Sequence, residues 1–183
     1  MLIFFDMEFT GLHQQTELIS IGLVTDWDER YYAEVSPIPR AVKEVDQEWL
    51  KTNVHPHLKL QKSTGELKEK RVTTFAGDVR GLRRSLRKWL SQFEDVTMVS
   101  DCLAYDWVLF NTLFEDALPP NINYIPLDIC TYFHLAGVDP DVKREEFAES
   151  KNSTLKHNAL WDALVIQKCF KKLSRMMPPI PQA

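Results

Sequence analysis

The N-terminal part of the chain is a series of short apolar runs separated by polar turn residues. LIFFD and LISIGLVT have the length and the β-branched or aromatic content of buried strands. A third run, RYYAEVS, follows the turn residues DWDE, so the first three strands are predicted to form an antiparallel meander. The predicted strands are residues 2–6, 18–25 and 30–36.

The rest of the chain alternates helical periodicity with short apolar strands. The clearest amphipathic pattern is DVRGLRRSLRKWLSQF, in which leucines and aromatic residues share one face and arginines the other. A second helical pattern places Val42, Val45, Trp49 and Leu50 on one face. The predicted helices are 42–54, 78–93, 105–114, 128–135 and 158–173, the predicted strands are 96–100 and 124–127, and the predicted loops are 55–74 and 137–152.

This order of elements predicts an α/β fold. A hairpin layer followed by alternating strands and helices indicates a mixed sheet, with an antiparallel three-strand meander plus parallel strands, covered by helices. The 183 residues favour a single domain, taken as residues 1–176, followed by a proline-rich tail at 177–183. The first apolar run is too short for a signal peptide or a membrane span. Three cysteines without a Cys-x-x-Cys pair fit a reducing, cytoplasmic location.

The charge distribution is uneven. The formal net charge of −4 argues against a nucleic-acid partner, because phosphate-binding domains are usually basic. Residues 59–88, however, contain ten basic and three acidic side chains, and they include Arg83, Arg84 and Arg87. An acidic body with one basic stretch is compatible with a metal-dependent enzyme that acts on phosphates. The alternative is that this basic stretch is an ordinary solvated helix face.

The first candidate for chemistry is the pair Asp6 and Glu8 at the end of the first apolar run. Side chains two residues apart on a strand point to the same face, so both carboxylates aim at one spot. Two unpaired carboxylates there repel each other, and a hard divalent cation such as Mg²⁺ or Mn²⁺ removes that cost. The alternative is a strand that simply enters solvent at Asp6.

Two further motifs carry acidic or basic groups. Asp106 follows a predicted strand and lies at the start of a helix. The alternative to a role in chemistry is that this aspartate only caps the helix. Asp101, at the end of the same strand, competes with Asp106 for any role in the site. His157 and Asp162 are five residues apart, so they converge only if His157 lies just before the last helix. The alternative is a loop histidine and an unrelated surface aspartate.

Taken together, the three motifs resemble a known family. The segments FDMEFTGL at 5–12, AYD at 104–106 and HNALWD at 157–162 are similar to the motifs of the DEDDh 3′→5′ exonucleases, which have a ribonuclease H-like fold. The resemblance covers about residues 2–172. More narrowly, the chain is similar to the bacterial exoribonuclease AS branch.

The resemblance implies a mechanism and a set of roles. Two divalent metal ions, Mg²⁺ or Mn²⁺, would be held by four carboxylates, with Asp6 bridging, Glu8 and Asp162 at one site and Asp106 at the other. His157 would be the general base, since histidine exchanges a proton near neutral pH. The implied substrate contacts lie in the loop after the first motif, at Phe9, Thr10, Gly11 and Leu12. Apart from the resemblance, Arg83, Arg84 and Arg87 are expected to follow the nucleic-acid backbone, and the alternative is that this helix serves an interface with a second subunit.

The leading hypothesis is a 3′→5′ exoribonuclease that acts on a free RNA 3′ end, on single strands or overhangs, and releases nucleoside 5′-monophosphates. A DNA exonuclease of the proofreading or repair type is the first alternative, because the discriminating contact is to the 2′-hydroxyl. A non-catalytic nucleic-acid-binding module and a cytoplasmic scaffold are the others. Related nucleases often dimerise, so a homodimer is expected. His55 and His57 form a His-x-His pair with no third zinc ligand nearby.

Overall fold

The computed structural model of the protein describes residues 1–13, 15–115, 117–150 and 153–177. The strands within these ranges are β1 Leu2–Phe9, β2 Leu18–Thr25, β3 Arg30–Val35, β4 Gly65–Glu69, β5 Val72–Gly77, β6 Thr97–Ser100 and β7 Leu127–Asp128. The helices there are α1 Glu44–Asn53, α2 Val79–Leu90, α3 Leu103–Leu113, α4 Ile129–Leu135, α5 Arg144–Phe147 and α6 Ala159–Met176. Short 3₁₀ turns lie at His55–His57 and Ser153–Leu155.

The strands form one mixed sheet in the order β4-β5-β3-β2-β1-β6-β7. β1, β2 and β3 pair antiparallel, which confirms the predicted meander. β6 pairs parallel with β1, and β7 pairs parallel with β6. The α/β class, with a mixed sheet that is consistent with a ribonuclease H-like fold, is therefore confirmed.

The predicted loop at residues 55–74 is wrong. β4 and β5 form a hairpin there, and β5 pairs parallel with β3 to extend the sheet. Every residue of β4 is exposed, so the strand shows no apolar alternation that a sequence pattern could detect. A short, charged edge strand of this kind is typical of sheets that avoid pairing with other chains.

Two other predictions need correction. The predicted loop at 137–152 contains α5, a single helical turn too short to show periodicity. The predicted strand at 124–127 is displaced to β7. The tail from residue 178 onward lies outside the described residues. Within the described ranges, no helix combines the length and apolar character needed to cross a bilayer.

The two faces of β1 contact different layers of the fold. Its odd-numbered side chains pack against α2 and α3 in the larger core cluster. Phe4, on the even-numbered face, packs with α4 and α6 in a second cluster. Asp6 and Glu8 continue this even-numbered face beyond the apolar part of the strand. The pleat of β1 thus turns both carboxylates towards the helix that carries the third motif.

Gly22 allows α6 to approach the sheet closely. It lies opposite Asp6 in the β1–β2 register. A Cβ atom at Gly22 would lie 2.3 Å from the Cα atom of Leu160, a distance that no side chain tolerates. Only glycine therefore lets the first turn of α6 rest on β2 directly beside Asp6.

The buried face of α1 differs from the predicted one. Val42, Val45 and Trp49 are exposed, whereas Gln47 and Leu50 are buried. Leu50 belongs to a small cluster at the margin of the sheet, and the Gln47 side chain accepts a hydrogen bond from the backbone of the preceding segment. Three of the four residues of the predicted apolar stripe therefore face away from the core, and Leu50 is the one that is buried.

Candidate active site

Three carboxylates meet where β1 passes the first turn of α6. One ligand oxygen each from Asp6, Glu8 and Asp162 lies within 4.8 Å of the other two. Asp6 and Glu8 come from one face of the strand, and Asp162 lies in the first turn of the helix. Together with Asp106 and His157 they line one groove of about 690 Å³.

The start of α6 sets the position of His157. Asn158 is the N-cap, and its side-chain oxygen accepts a hydrogen bond from the Trp161 amide at 3.1 Å. His157, one residue earlier, has a left-handed backbone with φ of 66°. Its amide donates to Asp162 Oδ2 at 2.8 Å, and its Nδ1 lies 3.7 Å from Glu8 Oε1. The chain reversal before the helix thus brings the imidazole to the carboxylates.

A largely buried polar network, which the sequence analysis did not predict, holds the start of α6. The Asn158 side chain donates to the Tyr32 hydroxyl at 3.2 Å and to the His57 carbonyl at 3.1 Å. Tyr32 in turn donates to Glu34 Oε1 at 2.7 Å. Glu34 is fully buried and also accepts from the Leu60 amide at 3.0 Å. The segment after α1 is therefore tied to the N-cap of α6.

Asp106 and Asp101 have different hydrogen-bond partners in the structure. Asp106 is buried in the first turn of α3, and its Oδ2 accepts a hydrogen bond from Ser100 Oγ at 2.7 Å. Asp101 instead pairs with Arg144, with 2.6 Å between Nε and Oδ2. Of the neighbouring carboxylates, Asp106 does most to raise the pKa of Asp6, and Asp101 and Asp106 both line the groove.

The cluster is electrostatically unfavourable without a cation. Burial, followed by the charge of Asp106, raises the pKa of Asp6 well above its usual value. Burial also raises the pKa of Asp106, and burial with the charge of Glu8 raises the pKa of Asp162 to about 8. In the described part of the chain, no lysine or arginine forms an ion pair with Asp6, Asp106 or Asp162. Hard oxygen donors that lack a protein cation are the donor set that Mg²⁺ and Mn²⁺ require.

Comparison with known proteins decides the family. The model of the 3′-5′ exoribonuclease Rv2179c-like domain matches residues 1–174. The chain belongs to this exoribonuclease family. No curated protein matches the chain significantly. The protein is thus a 3′-5′ exonuclease, and the carboxylate groove is its candidate active site.

The acidic cluster makes the stability of the metal-free exonuclease depend on pH. Because the Asp162 pKa is about 8 in the folded chain and about 4 in an unfolded one, the folded state binds more protons between these values. The stability of the metal-free protein therefore falls as the pH rises from about 4 to about 8. We expect thermal melting in chelator to show this fall, and Mn²⁺ to raise the melting temperature more at about pH 8 than at about pH 6. A melting temperature in chelator that rises with pH would contradict the raised pKa of Asp162.

A second pocket of the exonuclease, of about 450 Å³, adjoins the carboxylates at Glu8. Leu12 and Trp49 line it, and both are exposed. The Trp49 ring meets the His157 ring edge-on, with 4.9 Å between the centroids. Trp49 was predicted as part of the α1 apolar face and was not among the candidate site residues. Its exposure beside the site is the feature that sequence reasoning missed.

The loop after β1 contributes unequally to the two pockets of the exonuclease. Phe9 stacks on Tyr105 and lines both pockets, as does Leu12. Gly11 lines the second pocket, where a Cβ atom would lie 3.1 Å from a carboxylate oxygen of Asp46. Thr10 is buried, and its hydroxyl accepts a hydrogen bond from the Glu17 amide at 2.9 Å. The Thr10 side chain therefore supports the loop.

The arginines of α2 lie away from this site. Neither pocket of the exonuclease includes them among its lining residues. Arg83 pairs with Glu115, and Arg87 donates to the Ala117 carbonyl and lies over the Phe114 ring. Arg84 is exposed on the same helix. Their predicted contact with the nucleic-acid backbone stays a prediction.

Of the other possible metal ligands, His55 and His57 belong to no three-ligand group among the described residues. The second such group found there is Asp101, Asp128 and Cys130, whose ligand atoms also lie within 4.8 Å of one another.

Proposed function

We propose that the protein hydrolyses single-stranded RNA or RNA 3′ overhangs from the 3′ end and releases nucleoside 5′-monophosphates. The observation that carries the proposal is the convergence of four carboxylates and one histidine, from three separate motifs, on a single groove. Membership of an exoribonuclease family favours RNA over DNA as the substrate. A homodimer stays a prediction.

Two divalent cations, Mg²⁺ or Mn²⁺, would be held by Asp6, Glu8, Asp106 and Asp162. When bound, they supply positive charge that polarises the phosphodiester and the attacking water. The carboxylates give these cations fixed positions because each is attached to a rigid element of the sheet or to the first turn of a helix.

In this proposal His157 takes the proton from the attacking water at Nδ1, the ring nitrogen that faces Glu8. The water oxygen forms a bond to phosphorus, and the bond from phosphorus to the 3′-oxygen of the preceding nucleotide breaks. That 3′-oxygen is protonated as it leaves. The released nucleotide keeps its phosphate on the 5′-oxygen, which makes the product a nucleoside 5′-monophosphate.

The terminal nucleoside would occupy the second pocket. Its volume lies within the range of small-ligand sites, and its walls combine apolar groups with a few polar ones. An aromatic ring such as Trp49 offers a face on which a base stacks, and Leu12 lines the same pocket. The scissile phosphate would then lie at the carboxylates beside Glu8.

The test is the digestion of RNA labelled at its 5′ or its 3′ end, with Mn²⁺ or with chelator. We expect 3′-labelled RNA to release labelled mononucleotide first, and 5′-labelled RNA to shorten progressively. A circular RNA of the same sequence stays intact because it has no 3′ end. Cleavage of the circle would make the protein an endonuclease, and turnover in chelator would contradict the metal mechanism.

The matching DNA strand separates the remaining alternatives. Faster digestion of DNA than of RNA would favour the DNA exonuclease. Binding of RNA without any hydrolysis in Mn²⁺ would favour the non-catalytic binding module.

A further inference from the structure

Arg144 makes an unusually complete set of contacts for an arginine beside an active site. Its Nε and Nη2 donate to the two carboxylate oxygens of Asp101, at 2.6 and 2.9 Å. Nη2 also donates to the Pro140 carbonyl at 2.7 Å, and Nη1 donates to the Val142 carbonyl. The guanidinium lies over the Phe133 ring, 4.7 Å from its centroid. A guanidinium group held by these contacts is fixed in both position and orientation.

On one side these contacts fix the turn that carries Asp106. Asp101 directly follows Ser100, whose hydroxyl donates to Asp106 Oδ2 at 2.7 Å. Cys102 comes next with a left-handed backbone, φ 55°, and is the N-cap of α3. Asp101 therefore lies between the residue that holds Asp106 and the residue that starts its helix.

On the other side Arg144 holds a wall of the groove. Asp141, Val142, Lys143 and Glu145 line the groove opposite the strands. This segment contains only the single helical turn α5, so its own backbone gives it little rigidity. The two carbonyls that accept from Arg144 belong to this same segment, and the Arg144–Asp101 pair joins the segment to the end of β6.

Arg144 also accounts for the second group of potential metal ligands. Asp101, Asp128 and Cys130 come close together, but the guanidinium already contacts Asp101 and lies 3.3 Å from Cys130 Sγ. A fixed cation is therefore already in contact with two of the three members of this group.

We propose that Arg144 is a positioning residue for the nuclease reaction: through Asp101 it fixes the Ser100–Cys102 turn, and thereby the orientation of Asp106. The inference rests on the proposed function, in which Asp106 holds a metal ion. In this view Arg144 acts through the geometry of its hydrogen bonds, and a positive charge at this position is not sufficient to orient Asp106.

The test uses Arg144→Met, Asp101→Asn and the double variant, with Arg30→Met as the matched control. Arg30 also donates twice to an aspartate, Asp28, but at the β2–β3 turn. We expect each single variant at the active site to lower kcat about tenfold and to weaken Mn²⁺ binding in calorimetry. The double variant should be no worse than either single one, because the two residues form one interaction. Arg30→Met should leave kcat and Mn²⁺ binding unchanged.

The two single variants change the local charge in opposite directions, which distinguishes geometry from electrostatics. If Arg144 acted only through its field, Arg144→Met would tighten Mn²⁺ binding and Asp101→Asn would weaken it, and that result would overturn the proposal. Full recovery by Arg144→Lys would overturn it too, because lysine keeps the charge but loses the fork. A rise in KM without a change in kcat for Arg144→Met alone would assign Arg144 to direct RNA contact.

These readouts are taken below the melting transition of every variant, so that loss of folded protein does not contribute. The calorimetric cycle does not need hydrolysis. If the unaltered protein fails to hydrolyse RNA, the proposed function fails, while opposite shifts in Mn²⁺ affinity would refute the positioning role separately.

Discussion

We expect the replacement of Asp6 by asparagine to abolish RNA hydrolysis and to raise the melting temperature of the metal-free protein. Asp6 lies at the centre of the cluster, where burial and the charges of Asp106, Asp162 and Glu8 all raise its pKa. Asparagine has nearly the same shape, and it removes a carboxyl group that is costly to ionise among buried acidic neighbours. The same change removes a ligand that two cations would share. Loss of several kcal/mol of charge stabilisation corresponds to about 10³-fold or more in rate.

This prediction is checked by single-turnover hydrolysis with Mn²⁺ and by thermal melting in chelator. For a chain of this size, each kcal/mol of added stability raises the melting temperature by about 2–4 °C. The added stability should disappear when Mn²⁺ is present, because the cation stabilises only the native carboxylate set. Asp95→Asn, an exposed position far along the chain, is the control and should change neither quantity. An active Asp6→Asn protein would refute the proposed metal site.

We expect the replacement of His157 by alanine to lower kcat by roughly 10²–10⁴-fold, the usual contribution of a general base. Mn²⁺ affinity stays unchanged, because the four carboxylates remain in place. The fold also survives, since the contact that His157 makes with Asp162 comes from its backbone amide. Pre-steady-state kinetics at saturating Mn²⁺ measures the rate, and calorimetry measures the affinity.

His134→Ala is the matched control for this experiment. His134 is exposed in the last turn of α4 and does not line either pocket, so its removal should leave kcat unchanged. The contrary result is that His157→Ala weakens Mn²⁺ binding while its residual rate still falls at acid pH. In that case His157 is a metal ligand or a structural residue. Its assignment as the base would then be wrong.

Local periodicity was sufficient for much of the fold. The meander follows from three apolar runs separated by turn residues. The helix α2, which is 12 residues long in the structure, follows from an apolar stripe with helical spacing. The shared face of Asp6 and Glu8 follows from the two-residue period of a strand. Each of these features depends on neighbours in the sequence, which is why the sequence could predict it.

Exposed elements could not be predicted in this way. β4 buries no side chain, and it forms a strand because its backbone finds partners in β5. The face of α1 that bears Trp49 has the apolar pattern of a buried helix face, yet only Leu50 and Gln47 of this helix are buried. A pattern of apolar residues cannot tell a buried face from an exposed one when only part of the helix touches the sheet.

The sequence by itself determined which residues are candidates for the site: Asp6, Glu8, Asp106, His157 and Asp162 were singled out by their motifs and by the resemblance of those motifs to a known family. Only the tertiary structure decided how they are held. Asn158 contacts Tyr32 across 126 positions of the chain, and Arg144 contacts Asp101 across 43. Such contacts leave no periodic trace in the sequence, because a hydrogen bond between distant segments requires only that folding brings one donor to one acceptor.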